Sequence, residues 1–95
     1  MNCHSLKWRR HALERMLERD ISRSCAKEAL KIGKVIETYD NDQPFPSRLI
    51  FAFIEAVPLH VVVAKDPATD ECYVVTAYIP TEEYFENDFI TRRKI

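Results

Sequence analysis

Residues 48–65 read RLIFAFIEAVPLHVVVAK, and the fold turns on this stretch. It holds two runs, 48–55 and 59–65, each rich in β-branched and aromatic residues and short enough for a strand. Val57-Pro58 reads as the turn between them. A link this short favours an antiparallel hairpin, because a parallel crossover needs a dozen or more residues. The first run is apolar on both faces, with Leu49, Phe51 and Phe53 on one and Ile50, Ala52 and Ile54 on the other. The second is similar apart from His60. A sheet open to water on one side alternates polar with apolar residues. These strands do not alternate, so both faces of the sheet must be covered.

Working outward toward the C-terminus, DPATD at 66–70 is a turn and 72–78 a further strand. Thr81 is placed to cap a short helical segment through Glu86. Phe89, Ile90 and the basic tail Arg92-Arg93-Lys94 follow. Toward the N-terminus, 40–44 is a loop and 35–39 a strand. Gly33, the only glycine, reads as a C′ residue in the left-handed conformation. Before it lies a helix over 24–32 with Ser22 as its N-cap. A first helix over 6–19 begins from Ser5, with Trp8, Ala12 and Met16 in one row and Leu13, Leu17 and Ile21 in the next. The expectation is one α+β domain over 1–95. Two N-terminal helices pack on a four-stranded antiparallel sheet, with a short helical segment at the C-terminus. Two helices cover only one face. The other is left to Tyr84, Phe85 and Phe89, to a second copy of the chain, or to a partner protein.

The 95 residues allow one core, and 46% hydrophobic with 31% charged residues is a globular composition. No stretch approaches the roughly 18 apolar residues needed to span a bilayer. The opening MNCHSLKWRRH has no apolar run after its charges, so the expected address is the cytoplasm. Cys3, Cys25 and Cys72 are odd in number, widely spaced and free of CxxC, which suggests neither a disulfide framework nor a zinc module. No metal and no cofactor is expected. The formal net charge is −1, so any nucleic-acid role must come from a local patch. With a single glycine, a glycine-rich phosphate loop is ruled out.

Four features bear on chemistry. Lys7, His11, Arg15 and Arg19 follow one another at four-residue spacing, a stripe able to hold phosphates. With Glu14 and Glu18 interleaved, the same stripe also reads as an ordinary solvated face. His60 is a lone imidazole in an apolar strand, suited to proton transfer or to a buried hydrogen bond. Thr76 and Tyr78 share one face of the last strand. The Arg92-Arg93-Lys94 tail reads as a phosphate anchor or a solubilising end.

Taken in order, HALERMLERDIS (11–22), GKVIETY (33–39), PSRLIF (46–51), PLHVVVA (58–64) and VVTAYIP (74–80) resemble the bacterial domain of unknown function 4258 family. The resemblance runs over residues 11–93. Asp20 departs from it, standing where the family usually has glycine. The resemblance implies the RelE-like fold of type II toxins. It also implies an antitoxin partner with a zinc ribbon and a helix-turn-helix, and by analogy a metal-independent mRNA endoribonuclease. In such an enzyme a base activates the ribose 2′-hydroxyl and cations steady the phosphate. Carried over by position, His60, Tyr78 and Arg15 would form the catalytic group. His11, Arg19, Thr76, Arg92 and Arg93 would hold RNA. The alternative is a non-catalytic module whose apolar sheet pairs with itself or with another protein.

Overall fold

The computed structural model describes residues 1–92. Its elements are β1 (Ser5–Trp8), α1 (Arg10–Glu18), α2 (Arg23–Ile32), β2 (Lys34–Tyr39), β3 (Ser47–Ile54), β4 (Val57–Lys65) and β5 (Glu71–Tyr78). They form one five-stranded mixed sheet in the order β1-β5-β4-β3-β2. The structure corrects the four-stranded antiparallel expectation: β1 adds a fifth strand, parallel to β5, with Ser5 opposite Glu71 and Trp8 opposite Val74. Ser5 is thus not a helix cap. Leu6, Lys7 and Trp8 alternate as a strand, and α1 starts only at Arg10, after Arg9 in an extended conformation.

The hairpin at the centre is as expected, but its turn lies earlier. Glu55 and Ala56 both have positive φ, 51° and 68°, the backbone that a two-residue turn needs to follow strand twist. Val57 and Pro58 belong to β4 instead, paired with Ile54 and Phe53. Pro58 is tolerated because β4 has run past the end of β5 there, so no ladder bond to β5 is lost.

Both helices lie on one face. α1 packs on β5, and α2 on β3 and β4. Ala12, Met16, Ala26, Ala29 and Leu30 meet Ile50, Val61, Val63 and Val74 in the core. The second expected row on α1 is not buried as a row: Leu17 is 82% exposed. The helix ends at Arg19, with Asp20 N–H bonded to Leu17 O and Ile21 N–H to Met16 O. That is the Schellman pattern, with Met16 and Ile21 both buried beneath it. Its left-handed position is filled by Asp20, at φ 58°. An aspartate there costs on the order of 1 kcal/mol relative to glycine. Asp20→Gly is therefore expected to raise the melting temperature by about 4–8 °C, read by thermal denaturation.

The other face carries Leu49, Phe51, His60, Val62, Thr76 and Tyr78, as the pairing register requires. A bulge between Val62 and Val63 leaves Val75 unpaired, and so keeps Tyr73, Thr76 and Tyr78 on the same side. What covers this face is the chain's own C-terminal segment. Phe85 is buried against it and Phe89 half-buried, while Tyr84 stays exposed. The expected helix at 81–86 is corrected to a single turn. Thr81 O accepts from the amides of Tyr84 and Phe85, and the chain then doubles back so that Phe85 bridges to Arg92.

The structure also joins Cys3 to Cys72 in a disulfide, with Cα atoms 5.6 Å apart, and leaves Cys25 free. This corrects the expectation of unpaired cysteines. Only the parallel β1–β5 register brings residue 3 beside residue 72. Among the described residues, no helix is long and apolar enough to cross a membrane.

Candidate functional site

His60 faces away from the helices and is fully buried. Aromatics surround its ring, edge-on to Phe85 at 4.8 Å, Tyr78 at 5.2 Å and Phe51 at 5.5 Å between centroids. Both nitrogens have partners. Nε2 lies 2.7 Å from the Phe89 carbonyl oxygen, which only accepts, so Nε2 carries the hydrogen. Nδ1 is left as an acceptor, 3.2 Å from the Tyr78 hydroxyl, which donates to it. Burial pushes the imidazole below its ordinary 6.5, and the neighbouring Arg92 adds to this; the Phe89 bond and Glu37 oppose without prevailing. His60 is therefore neutral at pH 7, with its Nδ1 lone pair accepting from a phenol.

Around this pair stand further polar groups. Burial raises the Tyr78 phenol above its usual 10.0, while Arg92 and Arg19 both act to lower it. Arg92 Nε is 3.3 Å from Glu37 Oε1, and its guanidinium lies 5.1 Å from the Phe85 ring centre. Glu37 also accepts a hydrogen bond from the Tyr39 hydroxyl. Burial raises the Glu37 carboxyl, but the bonds from Tyr39 and Arg92 outweigh it and leave it below 4.5.

On the far side of Tyr78 a hollow of about 490 Å³ opens, lined by Arg19, Tyr78, Pro80, Thr81, Tyr84 and Phe85. Arg19 reaches it from the end of α1. Its Nη1 donates to Ala77 O at 2.9 Å and approaches the Thr76 hydroxyl at 3.5 Å. β1 pairs with β5 only as far as Val74, so the Ala77 carbonyl would otherwise be an open strand edge. Among the described residues no carboxylate pairs with Arg19.

Of the residues singled out from the sequence, His60, Tyr78, Thr76, Arg19 and Arg92 converge on this region. Arg15 and His11 do not. Both are exposed on α1, across the sheet from His60, and Arg15 pairs with Glu18 at 3.6 Å. The four-residue stripe is broken at its other end too, since Lys7 is on β1 and pairs with Glu71 at 3.3 Å. Arg93 lies outside the described residues. Glu37 and Tyr39 were missed. Their signal was present, because two polar groups two apart on a strand share the face that carries Leu49 and Phe51.

The neutral imidazole makes stability depend on pH. The unfolded chain binds a proton on this histidine below about 6.5, whereas the folded chain binds it only at lower pH. Stability is therefore complete above that value and falls as the pH drops through the folded pKa. Denaturant midpoints between pH 8 and 5 are expected to decline for the wild type. They should decline less for His60→Gln, which cannot titrate.

Comparison with known proteins adds a family. No curated protein and no solved structure matches the chain. The model of the family described as "Domain of unknown function (DUF4258)" matches residues 8–79, most of the chain and all of the sheet and helices except the first three residues of β1. The chain belongs to that family.

Proposed function

We propose that this protein is an RNA-cleaving enzyme, the metal-independent ribonuclease toxin of a type II toxin–antitoxin pair with a RelE-like arrangement. One observation carries the reading: the Tyr78 hydroxyl is bonded to a buried neutral imidazole, and Tyr78 lines a hollow together with Arg19, which has no carboxylate partner among the described residues.

RNA cleavage needs few parts. The ribose 2′-oxygen attacks the adjacent phosphorus as its O–H bond breaks. The bond from phosphorus to the 5′-oxygen breaks in turn, giving a 2′,3′-cyclic phosphate and a 5′-hydroxyl. In this site Tyr78 takes the 2′-proton while passing its own to His60 Nδ1. The imidazolium so formed is held by the Phe89 carbonyl at Nε2 and by the charge of Glu37. Water protonates the departing oxygen. Arg19, with Arg92 beside the phenol, balances the charge that gathers on the non-bridging oxygens. Tyr84, exposed at the rim, offers a ring for a base to stack on. His60 acts through Tyr78, since the imidazole itself is closed to solvent.

A net charge of −1 means that affinity must be local. Arg19 and Arg92, the cations that reach the site, are the local source of that affinity. The alternative reading is a non-catalytic module whose apolar sheet pairs with itself or with another protein; Phe85 and Phe89 take up part of the sheet face that such pairing would use. Induced expression in a bacterial host tests the proposal. Growth arrest with transcript cleavage is expected for wild type and lost in Tyr78→Phe and His60→Ala. Indifferent growth with intact transcripts would retire it.

A further inference from the structure

On the face away from the helices, β5 presents Tyr78, Thr76 and Tyr73 in one row, the bulge between Val62 and Val63 keeping Tyr73 in line. The row begins at the hollow beside Tyr78. At an extended rise of about 3.4 Å per residue, its other end lies on the order of 15 Å away. A second aromatic group stands there. The Phe45 and Tyr73 rings are stacked, with 5.7 Å between centroids and 17° between planes. The Arg9 guanidinium carbon lies over the Tyr73 ring, 5.5 Å from its centre.

The local sequence explains how the rings are held. Tyr73 pairs across the sheet with Ala64, and Ala64 with Ser47. Both small residues are buried, at 3% and 2% exposure, so the inner sides of the rings have a structural task as a roof. The Pro46 carbonyl accepts from the Lys65 amide and fixes the loop that carries Phe45. The rings themselves stay half-buried, with an outer part in solvent. Arg9 is exposed, and among the described residues no carboxylate pairs with it. Glu71, which accepts from the Tyr73 hydroxyl, is met by Lys7 at 3.3 Å. The Asp66 carboxylate accepts from the Ala68 amide in its own turn. Aromatic rings beside a planar cation are the partners that an unstacked nucleobase seeks. α1 ties this group to the hollow: the Arg9 amide donates to Val74 O, and Arg19 Nη1, from the other end of the helix, to Ala77 O.

Resting on the ribonuclease reading, we propose that Phe45, Tyr73 and Arg9 form a second RNA subsite, a stacking platform for a base of single-stranded RNA whose reacting phosphate lies in the hollow beside Tyr78. The strand runs along β5 past Thr76, with the platform at one end and Arg19 at the other. Every base has a ring face, so the platform adds affinity and holds register without choosing a sequence. A duplex keeps its bases stacked on one another and gains nothing from it.

Fluorescence anisotropy with a labelled 2′-O-methyl oligoribonucleotide of about twelve nucleotides, a length within single-strand site sizes, tests this. Such a strand has no free 2′-hydroxyl and is not cut. Tyr73→Ala, checked for native circular dichroism, should bind it about tenfold more weakly, as loss of one stacked base requires. Arg9→Gln should bind about threefold more weakly. Tyr73→Phe, which keeps the ring and drops only the bond to Glu71, should match the wild type. The duplex of the same sequence should bind wild type and Tyr73→Ala alike. Wild-type affinity for the single strand in both Arg9→Gln and a folded Tyr73→Ala would overturn the platform. So would a wild type that does not bind the single strand, or a Tyr73→Phe as weak as Tyr73→Ala. If Tyr73→Ala does not fold, the exposed Arg9 decides alone. Because nothing is cut, the platform can fail while Tyr78-dependent cleavage stands, and it can stand where no RNA is cleaved.

Discussion

Reduction of the Cys3–Cys72 disulfide is expected to lower the unfolding free energy by about 3–4 kcal/mol, the largest single effect in this protein. The bond joins positions 69 residues apart, so it closes most of the chain into one loop. In the chain-entropy account, a loop of that size removes much of the freedom of the unfolded state. The folded state depends on it as well. β1 is only four residues long and is a parallel edge strand with β5 as its single neighbour. Parallel pairing is the less stable kind. Without the staple, the register between Ser5 and Glu71 is held by four residue pairs and the Lys7–Glu71 ion pair. Urea denaturation with and without reductant measures the effect. Cys3→Ser should reproduce the reduced curve, because it leaves the buried Cys72 side chain in the core. An unchanged midpoint in both would contradict the assignment of the bond.

Gly33→Ala is the second large effect, a loss of about 2 kcal/mol or more. The reason differs from the one its position suggests. As the residue after α2, Gly33 looks like a left-handed cap, yet its φ is −76° and its ψ 169°, an extended backbone open to any residue. What requires glycine is proximity. A Cβ there would come within 2.5 Å of Ala29 O, 2.7 Å of Ile50 Cγ2 and 2.8 Å of Phe51 O. Two of these are backbone atoms of α2 and β3 and cannot rotate aside. Alanine does restrict the unfolded chain, which offsets roughly 0.4–1 kcal/mol. The steric cost exceeds this, and the melting temperature should fall by about 10 °C. A Gly33→Ala protein that melts with the wild type would show that α2 and β3 are farther apart than these contacts require.

These two cases show where the sequence could be read and where it could not. The strands around His60 were legible because their apolar content on both faces left no other element to choose. β2 and β5 were legible by alternation and turn residues. β1 was not. Leu6, Lys7 and Trp8 fit a strand, but Trp8 is also four residues before Ala12, and a four-residue strand has too few positions to contradict the helix. Losing β1 also hid the disulfide, since Cys3 and Cys72 are neighbours only through that strand's register. Burial arithmetic called for a cover on the second face but left open whether the C-terminal aromatics, a second copy or a partner supplies it. That Phe85 and Phe89 do so, and the path that carries them, was not legible, because a segment with irregular backbone leaves no period.

The candidate site was legible to a similar depth. His60 and Tyr78 were polar interruptions in apolar strands, and cross-strand pairing puts them directly opposite each other. Arg19 was named for its place in a helical stripe and joins the site for another reason, because it caps an open carbonyl of β5. Arg15, chosen from the same stripe, is on the wrong side of the sheet. Periodicity places a side chain on a helix face, but only the tertiary fold says what that face meets.

The most direct test is a single-turnover assay of the purified protein on end-labelled RNA without added metal. Cleavage leaving 2′,3′-cyclic phosphate ends is the predicted result, slowed at least about 100-fold in Tyr78→Phe, as loss of a positioned proton acceptor requires. RNA that stays intact, or that Tyr78→Phe cuts at the wild-type rate, would contradict a proton path through the tyrosine–histidine pair.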